Sequence, residues 1–566
     1  ASHTDDEPKS SYSNIEVMQA RRFPVSQKIT AFRRGLPAYQ HRAQIIDAVK
    51  NNQVVIISGD TGCGKSTQVT QFVFEHATET NTKARIACTQ PRRIAATSLA
   101  ERVSEEVGCT VGTLVGYQIG LDKKAQPDTA IVYLTPGVLL QQLMRRDGIN
   151  RYTHIIIDEA HERDIDTEFC LMLLRKFVPR STVKLVIMSA MMDVQLFRQH
   201  FMLYERRPGF YALCQLREQQ QMKASTPQAL VEPPLLHIGG KRFDVHENYL
   251  EEALSFVGKR YVDIYQHDQE DMVFSATYPQ LDIRSIVLGV ELVRRLLATQ
   301  TEPICILVFL PGMAEIEEMA TRIDCGHLSK PPIPFVVHRL HSSISISEQR
   351  RIFLETPSHK VILASNIAES SITVPGVRVV INFGLEKAMT FDPTINVEAL
   401  KLTWISTASE TQRSGRAGRV CAGECFHSYP RRFARALPRY AVPEIQRSSL
   451  EKILLMLLQM GEGRDLLDFG VQPPHTKNIE RSIDNLLTAG LVVLNDFGKL
   501  LISPLGRVAV HLPVDYRVAK LIFFGLYFGV FPAAVHAAAL FNTNDLTRRD
   551  SREVIFQRIA SDKLYS

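Results

Sequence analysis

The chain has 566 residues, more than one hydrophobic core organises, and its 45% hydrophobic and 22% charged residues describe an ordinary globular protein of three or four domains. No run of eighteen apolar residues occurs and the N-terminus carries no apolar leader, which argues against a membrane span and a secretory route. Nine scattered cysteines without paired CxxC spacing argue for reduced thiols rather than a zinc site, and a net charge of +6 is compatible with a polyanionic partner without requiring one.

Residues 1–35 begin with a polar stretch that has no apolar period and are expected to form a flexible arm. From 36 to 235 short Val/Ile-rich runs alternate with helical stretches: "VVIISG" (54–59), "ARIACTQ" (84–90), "AIVYLT" (130–135), "HIIIDEA" (154–160) and "KLVIMSA" (184–190). Continuous apolar runs separated by helices predict a parallel sheet covered on both faces, with polar chemistry at the strand ends. The polar, glutamine-rich stretch near 204–231 breaks this rhythm and reads as an insertion. A second α/β series follows over 236–441, with "ICILVFLP" (304–311), "PFVVHRLH" (334–341), "KVILASN" (360–366) and "VRVVINFG" (377–384) as strands. Beyond 441 the periodicity is helical. The apolar stretch "VAKLIFFGLYFGVFPAAVHAAALF" (518–541) is interrupted by a lysine, two glycines, a proline and a histidine, and reads as buried helices.

Three stretches carry chemistry. "GDTGCGKST" (59–67) follows a strand and precedes a helix, fitting G-x-x-x-x-G-K-[ST] through Gly59, Gly64, Lys65 and Ser66. Glycines there let backbone N–H groups turn inward around phosphate oxygens at a helix N-terminus, with Lys65 on the β- and γ-phosphates and Ser66 on a magnesium ion. "IIIDEAHER" (155–163) ends a strand in two carboxylates: Asp158 as magnesium partner, and Glu159 beside it to position and deprotonate a water. His161 is better placed to couple nucleotide state to neighbouring segments than to move a proton. "QRSGRAGR" (412–419) offers Arg416 and Arg419 as arginine fingers for charge on the γ-phosphate, should the second α/β unit close over the first.

These motifs in this order resemble the DEAH-box RNA helicases of superfamily 2. Further matches lie in "TQPRR" (89–93), "TPG" (135–137), "FLPG" (309–312), "LHSSIS" (340–345) and "SNIAESSITV" (365–374), so the resemblance covers roughly 36–550. It implies two tandem RecA-like parallel-sheet domains (36–235 and 236–441), then a winged helix (442–508) and a helical ratchet domain (509–566). An OB-fold domain normally follows in the family, so the chain is expected to be a truncated piece. The resemblance further implies that Thr61, Gly62, Cys63, Gly64, Lys65, Ser66 and Thr67 hold the phosphates of ATP or another NTP with Mg2+, and that Ser66, Asp158 and Glu159 surround the metal. Arg102 and Phe353 would sandwich the base, and Gln412 would fix the water and γ-phosphate. RNA contacts map onto Arg92, Arg93, Thr135, Gly137, Asn366 and Thr373, and a hairpin near 386–405 would part the strands.

"GYQIGLDK" (116–123), "YTHIIIDEAHER" (152–163), "NIAESSITVPGVRVVINFGL" (366–385) and "EALKLTWIS" (398–406) are most similar to the spindle-E type of Tudor-domain-containing germline helicase. That likeness implies work on single-stranded RNA with RNA-silencing partners in the piRNA pathway, as a monomer, in cytoplasmic germ granules. The helicase of nonsense-mediated decay is the second choice. One departure stands out: the family's Ser-Ala-Thr is here Ser189-Ala190-Met191. Its threonine hydroxyl belongs to a polar link between the ATP site and the second RecA-like domain. Methionine at 191 leaves open an alternative role as an ATP-gated RNA clamp or scaffold that unwinds weakly.

Overall fold

The computed structural model describes residues 23–60, 62–120, 122–145, 148–190, 193–204, 230–240, 243–258, 279–325, 333–345, 348–349, 351–354, 356–369, 374–392, 397–419, 421–512 and 514–542. The chain divides into two compact units, 1–447 and 448–566.

The first unit contains two RecA-like α/β domains. Strands β1 (Val54–Gly59), β2 (Ile86–Thr89), β3 (Val115–Ile119), β4 (Asp122–Lys124), β5 (Ile131–Leu134), β6 (His154–Ile157), β7 (Lys184–Ser189) and β8 (Leu235–Ile238) form one sheet in the order β8-β1-β7-β6-β2-β5-β3-β4. Every neighbour pairs in parallel except β3 with β4. The central strands are buried on both faces, as runs such as "HIII" require when helices cover the sheet twice. The second sheet consists of β9 (Val245–Asn248), β10 (Cys305–Phe309), β11 (Phe335–Leu340), β12 (His359–Ala364), β13 (Val377–Asn382) and, last in the chain, a strand over Gly423–His427. It is fully parallel, with Gly423–His427 between β9 and β13 and the remaining order β13-β10-β12-β11. Between β13 and that last strand the chain makes an antiparallel hairpin, β14 (Leu385–Asp392) with β15 (Val397–Trp404), at the place expected for the strand-parting wedge.

Several boundaries move. Residues 27–35 are helical rather than part of a flexible arm: α1 (Gln27–Gly35) is capped by Ser26, whose hydroxyl accepts from the Ile29 N–H at 3.3 Å. The expected domain boundary at 235/236 falls inside β8, which pairs with β1 and so belongs to the first domain. The boundary at 441/442 also shifts, because a short helix over Glu444–Arg447 stays with the first unit. The insertion near 204–231 falls largely on 205–229, outside the described residues.

The second unit opens with helices Glu451–Gln459 and Thr476–Thr488, followed by an antiparallel pair, Val492–Leu494 with Leu500–Ile502. Helices Pro504–His511, Tyr516–Tyr527 and Phe531–Asn542 complete its described part. The expected division at 508/509 lies within the first of these three. Among the described residues no helix is long and apolar enough to cross a membrane.

Candidate functional site: a cleft between the two sheets

The phosphate loop joins β1 to α2 (Lys65–Glu79). Gly62 and Gly64 have φ of +86° and +91°, values that a side chain would strain, so glycine is needed at both. Gly64 is the N-cap of α2 and has no side-chain cap, so the first N–H groups of the helix face the loop mouth and suit an anion. Lys65 is buried, and its ammonium donates to the Gly59 carbonyl at 3.1 Å. Burial raises the pKa of the Cys63 thiol, so this cysteine packs as an uncharged residue inside the loop.

Asp158 and Glu159 leave the end of β6, both buried. Gln90, at the end of β2, donates from Nε2 to Asp158 Oδ2 at 2.7 Å, and the Glu159 N–H donates to Asp158 Oδ1 at 2.9 Å. Glu159 sits in the left-handed region at φ +53°, strained for a side chain of its size, which re-aims its carboxylate away from the strand direction. Its Oε2 is buried and has no hydrogen-bond partner among the described residues.

The two acids titrate apart. Burial, then the charge of Glu159, raises Asp158 above the usual carboxylate range. Burial pushes Glu159 the same way, but Lys65, His161, Arg416 and Arg419 outweigh it and hold Glu159 below its usual value. Asp158 is therefore the member of the pair that takes up a proton more readily, while Glu159 stays charged and able to accept a proton. Ser66 and Asp158 form an oxygen-only donor pair, which fits a hard divalent cation. Because no three His, Cys, Asp or Glu side chains converge among the described residues, Mg2+ here would draw its other ligands from phosphates and water.

His161 bridges the two domains. Gln412 donates from Nε2 to His161 Nε2 at 2.7 Å, which places the ring proton on Nδ1. That nitrogen faces the Ser189 hydroxyl at the end of β7 at 3.1 Å and Glu159 Oε2 at 3.5 Å. Gln412 lies on α3 (Thr407–Ser414), whose N-cap is Ser406. The turns after α3 carry Arg416, which is buried, and Arg419. Burial and then Arg419 push Arg416 well below its ordinary value, with Glu159 opposing. A guanidinium in that position favours a further anion beside it.

A cleft of about 980 Å³ opens beside the phosphate loop and Glu159. Gly62, Gly64, Lys65, Ser66, Thr67 and Glu159 line one end. Arg102, from the helix over Arg93–Val107, and Phe353, from the second domain, line the same cleft. Thr61, Met191 and Thr373 lie outside the described residues.

Residues 39–197 match the DEAD/DEAH box helicase family, and residues 289–421 match the helicase conserved C-terminal domain. The chain belongs to the DEAD/DEAH box helicases. This helicase is 36% identical over 557 residues to the DExH-box ATP-dependent RNA helicase DExH1 of Arabidopsis thaliana, covering 90% of this chain and 52% of that protein. It is 34% identical over 547 residues to the probable ATP-dependent RNA helicase spindle-E of Aedes aegypti, covering 92% of this chain and 38% of the relative. To the ATP-dependent RNA helicase TDRD9 of Danio rerio it is 34% identical over 531 residues, with 89% and 37% covered. The chain thus spans about half the length of the first of these relatives and less of the other two.

Of the residues expected to touch RNA, two meet across the helicase's domains: an Arg92 guanidinium N–H donates to the Asn366 carbonyl at 3.4 Å, and Arg92 also lies 3.5 Å from Glu162. Arg93 is exposed at the start of its helix. Thr135 is the N-cap before Pro136–Leu143, and a Cβ on Gly137 would come within 2.7 Å of Asp166. Two residues of the site went unremarked in the sequence. Gln90 stands in "TQPRR" beside the more conspicuous arginines; the signal was a polar side chain at a strand's end. Arg413 is almost fully buried: it donates to Glu369 at 2.8 Å, and to Asn382 and the Leu385 carbonyl at 3.2 Å each. It ties α3 to β13 and the base of the hairpin, a structural duty hidden inside a motif that reads as phosphate-binding.

Proposed function

We propose that this chain is the motor of an ATP-dependent RNA helicase, hydrolysing NTP and converting closure of its two RecA-like domains into movement along single-stranded RNA. The observation that carries this reading is His161, which is hydrogen-bonded to Gln412 of the second domain and sets its other ring nitrogen 3.5 Å from the Glu159 carboxylate. In that reading the N–H groups opening α2 and the Lys65 ammonium hold the phosphates. Glu159 orients a water and takes its proton, Gln412 keeps that water in line, and Arg416 and Arg419 meet charge on the γ-phosphate. Bound by Ser66 and Asp158, Mg2+ would neutralise charge on the β- and γ-phosphate oxygens. Arg102 and Phe353 would stack on any base, which suits broad NTP use because stacking reads a π-face and not base edges.

In the second unit, two helices followed by a short antiparallel pair support the winged-helix reading, and the helices from 504 onward the ratchet. A place in germline RNA silencing, in cytoplasmic granules with piRNA-pathway partners, is the finer proposal. Relatives named spindle-E and TDRD9 support it, while a plant DExH-box helicase matches at similar identity and does not favour it. Small RNAs co-purifying with the full-length protein from germ cells would support that setting, and their absence would count against it.

The activity is tested by NTP hydrolysis with and without single-stranded RNA, alongside separation of a 3′-tailed duplex. RNA-stimulated hydrolysis with strand separation is expected. Hydrolysis indifferent to RNA would sink the helicase reading, and stimulated hydrolysis without separation would favour the clamp. Glu159→Gln should bind ATP and lose about 10²–10⁴ in turnover; normal turnover would refute its role as base.

A further inference from the structure

The base end of the cleft holds a third planar group. Phe32, on α1, lines it together with Arg102 and Phe353. Its ring centroid lies 5.0 Å from the Arg102 guanidinium carbon, within range of a cation–π contact. Two of that guanidinium's edge donors are engaged: Nε donates to Glu106 at 2.7 Å and Nη1 to Glu105 at 3.3 Å. These bonds fix its plane, and Phe32 lies over one of its faces.

The helix carrying this ring is positioned yet easily displaced. Arg33 donates to Gln68 at 3.0 Å and to Glu75 at 2.9 Å, both on the helix that opens at the phosphate loop. Gln68 in turn donates to Glu106 at 2.8 Å, so α1, the phosphate-loop helix and the Arg102 helix meet at one buried carboxylate. No side chain of α1 is buried, and Phe32 is 56% exposed. Swinging the ring aside therefore opens no core and leaves no buried polar group without a partner.

We propose that Phe32 competes with the nucleobase: its ring covers the Arg102 face on which a base stacks, and binding of NTP displaces it. This rests on the reading of the cleft as the nucleotide site. Because the competitor occupies the site in the free protein, it weakens apparent affinity by the same factor for every base and leaves phosphate binding alone. An exposed cation–π contact of ordinary strength corresponds to a factor of about three to six.

The test uses the full chain carrying Glu159→Gln, so that nucleotide is not consumed, and measures Kd for ATP, UTP and inorganic tripolyphosphate in the presence of Mg2+. Adding Phe32→Ala should tighten ATP and UTP about three- to sixfold and leave tripolyphosphate unchanged. Phe32→Tyr, which keeps the ring, should match the parent. Unchanged or weaker nucleotide binding in Phe32→Ala overturns the proposal. Parallel tightening of tripolyphosphate overturns it too, since the ring would then obstruct the whole cleft. A parent that binds no nucleotide at all removes the site reading and this inference with it, an outcome distinct from a change confined to the variant.

Discussion

The two RecA-like domains share a parallel-sheet plan but bring opposite charges to bear on one another. The first supplies Asp158 and Glu159 from the end of β6, together with a loop shaped around an anion. The second supplies Gln412, Arg416 and Arg419, with Arg416 buried and pushed below its ordinary value. Each half carries charge at a cost that the other lowers: Arg416 and Arg419 help keep Glu159 ionised, and Glu159 opposes the shift on Arg416. Neither half makes this pairing of charges alone, which suits the proposed motor, whose chemistry would wait for its domains to meet.

The sharpest way to break this comparison is to remove the cationic half. Arg416→Ala should lower kcat by about 10³ or more with the first domain's phosphate grip intact. Hydrolysis within tenfold of the parent would show that the second domain contributes no charge to the reaction. A stability test separates structural from chemical arginines in the same motif. Arg413→Leu leaves Glu369 and Glu386 without their buried partner and should cost about 3–5 kcal/mol in denaturant unfolding. A loss under 1 kcal/mol would remove Arg413 from the frame of the second domain.

Acid offers a comparison by halves. Burial depresses His154 to about 4 and His200 to about 3 in the first domain, and His427 to about 3 in the second. A depressed histidine stays neutral in the fold while the unfolded chain takes up a proton below its ordinary value of about 6.5. Stability from these residues is therefore full above that pH and falls as pH drops toward 4 and then 3. The loss is about 2 kcal/mol per histidine at pH 5. His427→Gln should flatten the pH dependence of the unfolding midpoint by one such share; an unaltered slope would mean that His427 does not titrate in this way.

The smallest expected effect concerns Met191. Position 191 lies outside the described residues, so this test rests on the motif alone, where threonine restores the Ser-Ala-Thr pattern that begins at Ser189. Met191→Thr should leave hydrolysis near the parental rate and raise duplex separation per ATP a few-fold, on the order of one hydrogen bond. Equal coupling in both proteins would discard the idea.

Much of the fold was legible because the central strands are continuous apolar runs. "VVIISG", "HIII" and "KVILA" lie where strands appear, since a strand covered on both faces has no polar alternative. The edges were not. "VHEN" (Val245–Asn248) and "GECFH" (Gly423–His427) mix polar and apolar residues, and their pairing depends on partners far away in the chain. Helix α1 reads as a loose arm in the sequence because it buries no side chain; Arg33 and the Ser26 cap hold it through contacts that no periodicity displays.

By itself the sequence determined the phosphate loop, the Asp158–Glu159 pair and the arginine-rich motif, because glycine torsions, strand-end acids and charge spacing are local properties of the chain. Tertiary structure alone decided that His161 lies between Glu159 and Gln412, that Arg413 serves the frame while Arg416 is buried within electrostatic reach of Glu159, and that Phe32 lies on Arg102. Those outcomes depend on which side chains share a low-dielectric space after distant segments pack, and burial sets both their charge and their partners.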